Sequence, residues 1–294
     1  VTAQVWIDKT RDLLLGGTVE PLNRLNGDIL VGAAQLTVEF DTGPIVTGSV
    51  IEIGTELMYV TAVAGTTVSV MRGYGGSTAA AHTSTDIIRS NPQYPGHMIL
   101  DAVNDDLNDL SSPRNGLYQM QTTTFTYNST KDGYNLAVDA LAVRRVTWVH
   151  TSSDLSEPEV RRFTVKRNRD TSAFASGVAL VLQDLPEAGQ TVRVEYTTGF
   201  TALTDSSTAL SAVGLHAEAY DLPPMGAALA IMSFRPIARE SITQQPPVRR
   251  AEEVPPGAIS ASMRDLRFRR QERIQSEAAR LAQMYPTTWH RSGR

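Results

Sequence analysis

Between Ser49 and Arg89 the chain can hardly be anything but a set of short paired strands. Ile51 and Ile53 alternate with Glu52, Met58 and Val60 flank Tyr59, and Val68 and Val70 flank Ser69, the period of strands buried on one face. Gly54-Thr55, Ala64-Gly65 and Gly73-Tyr74-Gly75-Gly76 fall between these runs, where a turn needs positive φ that glycine adopts without a Cβ clash. A small β-meander or barrel is expected there.

The rest changes texture several times. Thr2 can cap a helix running to about Leu15 and ended by Gly16-Gly17, with Pro21, Asn26-Gly27 and Gly32 breaking the chain before a strand at Leu36 to Phe40. From His97 to Leu110 the residues Leu100, Val103, Leu107 and Leu110 form one apolar helical seam, while Asp101, Asp105 and Asp109 form an acidic stripe on another face. Threonine-, valine- and aromatic-rich runs at 118–127, 142–150, 160–167, 178–182 and 191–197 predict a β-sandwich.

Asp221-Leu222-Pro223-Pro224 opens a helix to about Ile242 that is apolar nearly all round and carries Met225, Ile231 and Phe234, with a kink at Pro236. A proline-rich spacer, 244–258, leads to a last helix from about Ser260 to Tyr285. The expected class is α+β, with a helical core of about four helices, an N-terminal β module and an inserted sandwich. The divisions are 1–34 (helix and loop), 35–90 (β module), 91–113 (core helix), 114–202 (sandwich), 203–243 (core helix region), 244–258 (linker) and 259–294 (basic C-terminal helix or arm).

Charge is unevenly spread. From Ile259 to Arg294 eight arginines face Asp265, Glu272 and Glu277, a net +5 in a chain of net −4. Lys9, Lys131 and Lys166 are the only lysines among 27 basic residues. The last helix puts Met263, Leu266, Arg270, Ile274 and Leu281 near one stripe, and docking on a neighbouring subunit or partner explains such a helix on a proline-rich arm. The competing explanation is that it folds back against the helix beginning at Pro223.

Catalytic and cofactor chemistry has no visible residue set. His82, His97, His150, His216 and His290 lack the spacing of a zinc-binding helix, and the absence of cysteine excludes disulfides and thiolate sites. The Gly73–Ser77 loop has no following lysine to hold a phosphate, and Glu252-Glu253 lies in the linker. No cofactor or metal is expected. No segment reaches the ~18 apolar residues of a membrane span and VTAQVWIDKT lacks the pattern of an export signal, so neither membrane insertion nor secretion is expected.

Four stretches carry a family resemblance: I-x-I-G-x-E-x-M-x-V-T-x-V-x-G followed by V-x-R-G-Y-x-G-S-T-A-A-A-H in the β module, then NPQYPGHMILDAVNDDLNDL, DLPPMGAALAIM and RFRRQERIQSEAARLAQMYP. In texture and order they resemble the head-to-tail connector (adaptor) proteins of long-tailed bacteriophages, particularly those of actinobacterial hosts. The resemblance implies a non-enzymatic virion protein of the neck, assembled in the host cytoplasm into a ring of about twelve copies beneath the portal. It would seal the DNA channel, contact packaged DNA non-specifically and dock downstream neck or tail proteins. Met263, Arg264, Leu266, Arg267, Arg270, Arg273, Ile274 and Leu281 would meet the portal, and Asp101, Asp105, Asp109, Met225, Ile231 and Phe234 would meet neighbouring subunits. Two alternatives stay open. One is a tail-tip or capsid-surface protein whose sandwich binds glycan on Tyr127, Tyr134 or Trp148, and the other is a hydrolase with an unrecognised site.

Overall fold

The computed structural model describes residues 1–16, 18, 20–149, 158–233 and 258–286. The expected kink at Pro236, residues 244–257 of the linker, Phe234, His150 and His290 lie outside the described residues. The fold is α+β: the described residues form four α-helices and twelve strands, with the chain dividing into one unit of 1–107 and 201–273 and a second of 108–200 and 274–294.

In the first unit, β1 (Leu22–Arg24), β2 (Gln35–Thr37), β3 (Val50–Ile53), β4 (Glu56–Ala64), β5 (Thr67–Met71) and β6 (Ile87–Ser90) pair antiparallel in the order β1-β6-β3-β4-β5-β2. The two outer strands then meet: Leu25 bridges Val38, Asn26 N–H donates to Thr37 O and Glu39 N–H donates to Arg24 O. Closure leaves no exposed sheet edge and makes a small barrel. Its interior is the alternating set read from the sequence, Ile51, Ile53, Met58, Val60, Val68 and Val70, joined by Leu25, Leu36, Val38, Ile45 and Ile88. Burying each such side chain contributes about 1.5–3 kcal/mol. The glycines at 54, 65, 73, 75 and 76 take positive φ in the turns. The barrel starts at Leu22, inside the stretch expected to be loop.

Helix α1 (Gln4–Leu15) ends as expected at Gly16, whose φ of 59° lets its N–H bond Asp12 O. Its start differs from expectation. The N-cap is Ala3 and Thr2 is occupied in a bridge to Ala209, so the first free N–H groups are met by backbone: Ala3 N–H donates to Thr208 O and Gln4 N–H to Ser206 O. The helix buries Trp6, Ile7, Thr10 and Arg11 and packs on α3 (Leu222–Ser233), with the Trp6 and Tyr220 rings edge to face at 5.4 Å. Helix α2 (Gly96–Leu110) buries its predicted seam, Leu100, Val103, Leu107 and Leu110. Helix α4 spans Ala258–Met284.

The second unit holds two three-stranded antiparallel sheets. One is β7 (Gln119–Thr126), β12 (Thr191–Thr198) and β9 (Ala142–Val149); the other is β10 (Phe163–Lys166), β11 (Ala179–Leu182) and β8 (Tyr134–Asn135). Tyr134, Leu180 and Leu182 from one and Val146, Val192, Val194 and Tyr196 from the other share one core, which makes a sandwich. The register along β9 shifts at one point. Tyr196 pairs with Val143 but Glu195 with Arg145, so Arg144 is the extra residue of a bulge, its guanidinium 4.8 Å from the Tyr118 ring centre, and Val143 packs against the sandwich core.

Candidate functional site

Two helical faces carry the expected interaction residues. On α2 the side chains of Asp101, Asp105 and Asp109 are exposed, an acidic stripe opposite the buried seam. Asp109 Oδ2 accepts from Asn115 Nδ2 at 3.0 Å. Asp106, between them, turns inward at 7% exposure and takes Arg270 Nη2 of α4 on Oδ1 at 2.5 Å. Gly226 of α3 lies directly against this carboxylate; an added Cβ would overlap it. Only glycine permits that approach.

On α4 the eight expected partner residues separate into two groups. Arg264 and Arg267 are exposed and Met263 and Leu266 half-buried, beside Phe268 at 62% exposure and Arg269, which pairs with Asp265 at 2.8 Å. The other four are engaged within the chain. Arg270 holds Asp106; Arg273 grips Asp221 through Nε and Nη2 at 2.8 and 3.0 Å and donates to Glu218 O at 2.7 Å; Ile274 and Leu281 are buried. The middle of α4 is therefore tied to α2 and to residues just before α3, not to the helix that the competing explanation names, and its seam is not wholly unclaimed. Of the expected subunit residues on α3, Met225 and Ile231 are half-buried, with Leu229 and Met232 beside them, while Leu222, Ala227 and Ala228 are inside.

Two buried ion networks gave no sequence signal. Arg11, 1% exposed, donates to Glu52 Oε1 at 2.5 Å and to Tyr94 O at 3.1 Å. Glu52 points out of the barrel, yet the start of α2 covers it: Gly96 N–H donates to Oε2 at 2.6 Å, a carboxylate set against a helix N-terminus. Burial raises the Glu52 pKa above 4.5, against the opposing pull of Arg11, the Gly96 N–H and Arg89. Both its oxygens are held, so it is not placed to relay a proton.

Glu56 is the second node. Its oxygens accept from Arg72 Nε and Nη2, each at 2.7 Å, from His82 Nε2 at 2.8 Å, from Ala80 N–H at 3.0 Å and from Gly73 N–H at 3.1 Å. Burial pushes its pKa up, but Arg72, then His82 and the two N–H groups, outweigh it and hold the carboxyl at about 2. Arg72 also donates to Leu30 O and Ala33 O, so the node pins the 28–34 loop and the glycine turn to the barrel. The Gly73–Ser77 loop is thus shaped by Glu56 from within.

A cleft of about 470 Å³ beside this region is lined by Asp8, Glu52, His82, Asp86, Arg89 and Ser206 among others. Most of its charged groups are already engaged: Arg89 holds Asp8 at 2.9 Å, Arg11 holds Glu52, and Asp86 accepts from Thr83 N–H at 2.9 Å and Oγ–H at 3.1 Å. Among the described residues, no three His, Asp or Glu side chains converge to hold a metal ion, and no helix is long and apolar enough to cross a membrane. Of the three rings named for the glycan-binding alternative, Trp148 is half-buried against the sandwich core. Tyr127 and Tyr134 are 5% and 7% exposed, with Tyr134 stacked on Phe125 at 3.8 Å, because these rings fill the space between the sheets. No protein-family model matches the sequence, and no curated protein is similar to it.

Proposed function

We propose that the protein is a structural ring component of a phage neck, a head-to-tail adaptor that turns over no substrate. One observation carries the reading. The same chain exposes an acidic helical stripe, Asp101, Asp105 and Asp109 on α2, and a basic one, Arg264, Arg267 and Arg269 on α4. Faces of opposite sign at different places on one chain favour head-to-tail association, and repetition of such a contact closes a ring. The half-buried apolar side chains of α3 give the contact an apolar component.

In that ring, of about twelve copies, the apolar side chains Met263 and Leu266 of α4 would face the portal, and the barrel and sandwich would brace the periphery. Multiplicity compensates for the weakness of each charged contact. The test is binding of purified portal protein to the wild type and to Met263→Ser/Leu266→Ser, with ring assembly of the variant checked alongside. This is cleaner than deleting 259–294, since the deletion would also remove Arg270 from the buried Asp106. Loss of portal binding with unchanged folding supports the assignment, and undiminished binding refutes it.

A further inference from the structure

The outer face of the β10-β11-β8 sheet carries a cleft of about 480 Å³. Its floor is Ala179 and Val181 of β11, whose neighbours Leu180 and Leu182 point the other way into the sandwich core. Ala179 pairs with Lys166 on one side and Asn135 on the other, so these two flank the floor in one cross-strand row. Phe174 forms a wall. Its ring lies over Gly133, where a Cβ would stand 3.4 Å from the ring and 3.2 Å from Leu180 O.

Lys131 and Arg169 complete the rim, so three cations converge on the cleft against a single lining carboxylate, Asp132. Two of them are two of the chain's three lysines. Among the described residues none of the three side chains forms an ion pair or a hydrogen bond. Asn135 Oδ1 accepts from Ser176 N–H at 3.0 Å and Oγ–H at 2.8 Å, which leaves its Nδ2 as a donor. Three cations facing one carboxylate leave a net positive charge that an anion relieves, and the apolar floor and ring favour a ligand with an apolar face. The surrounding segment, 108–200, has ten basic and ten acidic residues, so no extended positive field is present to draw a nucleic acid.

We propose that this cleft binds a short acidic saccharide, with a pyranose face on Phe174, Ala179 and Val181 and a uronate carboxylate among Lys131, Lys166 and Arg169. The inference is independent of ring assembly. The test is calorimetric titration of the whole chain with hexagalacturonate, maltohexaose, inorganic phosphate and hexathymidylate, repeated with Lys131→Gln/Lys166→Gln. Hexagalacturonate is expected to bind about tenfold or more tightly than the other three, and the double variant to lose about tenfold in affinity while its circular dichroism and unfolding midpoint stay unchanged. Should the double variant misfold, Lys131→Gln alone, in an exposed turn, is expected to lose about threefold. Absence of hexagalacturonate binding, equal binding of the neutral sugar, phosphate or oligonucleotide, or unchanged affinity in the folded variant would overturn the proposal.

Discussion

Arg270 Nη2 lies 2.5 Å from Asp106 Oδ1, with the two side chains 13% and 7% exposed, so a residue 164 positions away in sequence neutralises a carboxylate that α2 buries. Removing one partner of a buried pair leaves the other charge uncompensated. Arg270→Ala is therefore expected to cost about 3–5 kcal/mol in urea unfolding. The Arg273 to Asp221 pair is more than a third exposed, and Arg273→Ala is expected to cost about 1 kcal/mol or less.

Gly226 is the steric counterpart of that pair. Gly226→Ala drives a methyl group into the Asp106 carboxylate and forces α2 and α3 apart or Asp106 out of place. Helix propensity alone would favour alanine by about 1 kcal/mol. The expected result is instead destabilisation by about 1–3 kcal/mol, seen as a lower denaturant midpoint.

Acid sensitivity follows from Glu56. Its folded pKa, about 2, is below the ordinary 4.5, so its contribution is fully present above pH 4.5 and is lost as pH falls from 4.5 toward 2. Glu56→Gln is expected to lower stability at pH 7 and to flatten this part of the stability-against-pH curve by on the order of 2–3 kcal/mol.

Glu52 titrates with the opposite sign. Its folded pKa is raised, so its ionisation penalises the fold increasingly as pH rises above 4.5. Arg11→Met removes the cation that offsets this penalty, and is expected to cost about 3–5 kcal/mol at pH 7. Part of that loss should be recovered when unfolding is repeated at pH 5, where Glu52 protonates more readily. Recovery absent at pH 5 would mean that Arg11 acts through packing instead.

The parts of this fold that were legible in the sequence are those specified locally. The seam Leu100–Val103–Leu107–Leu110 repeats within one helix, and Ile51, Met58, Val60, Val68 and Val70 repeat within single strands, so periodicity alone marks their buried faces. Strands β1 and β8, of three and two residues, are too short to show any period and exist because β6 and β11 pair with them. The burial of Arg11 and Glu52 depends on partners 41 and 44 residues from Glu52, and Glu52 occupies a position that alternation assigns to solvent. The cationic cleft was invisible for the same reason: Lys131, Lys166 and Arg169 are unremarkable until β8, β11 and β10 bring them to one rim.

The most direct test of ring assembly is the mass of the purified protein by native mass spectrometry, with electron microscopy of the same sample, for the wild type, Asp101→Lys/Asp105→Lys, Arg264→Glu/Arg267→Glu and the four-fold variant combining them. The predicted result is a closed ring for the wild type, monomers for each charge reversal, and restoration of the ring when the two reversed faces are combined. A wild type that remains monomeric at all concentrations and low salt, or a ring indifferent to both reversals, would contradict the account.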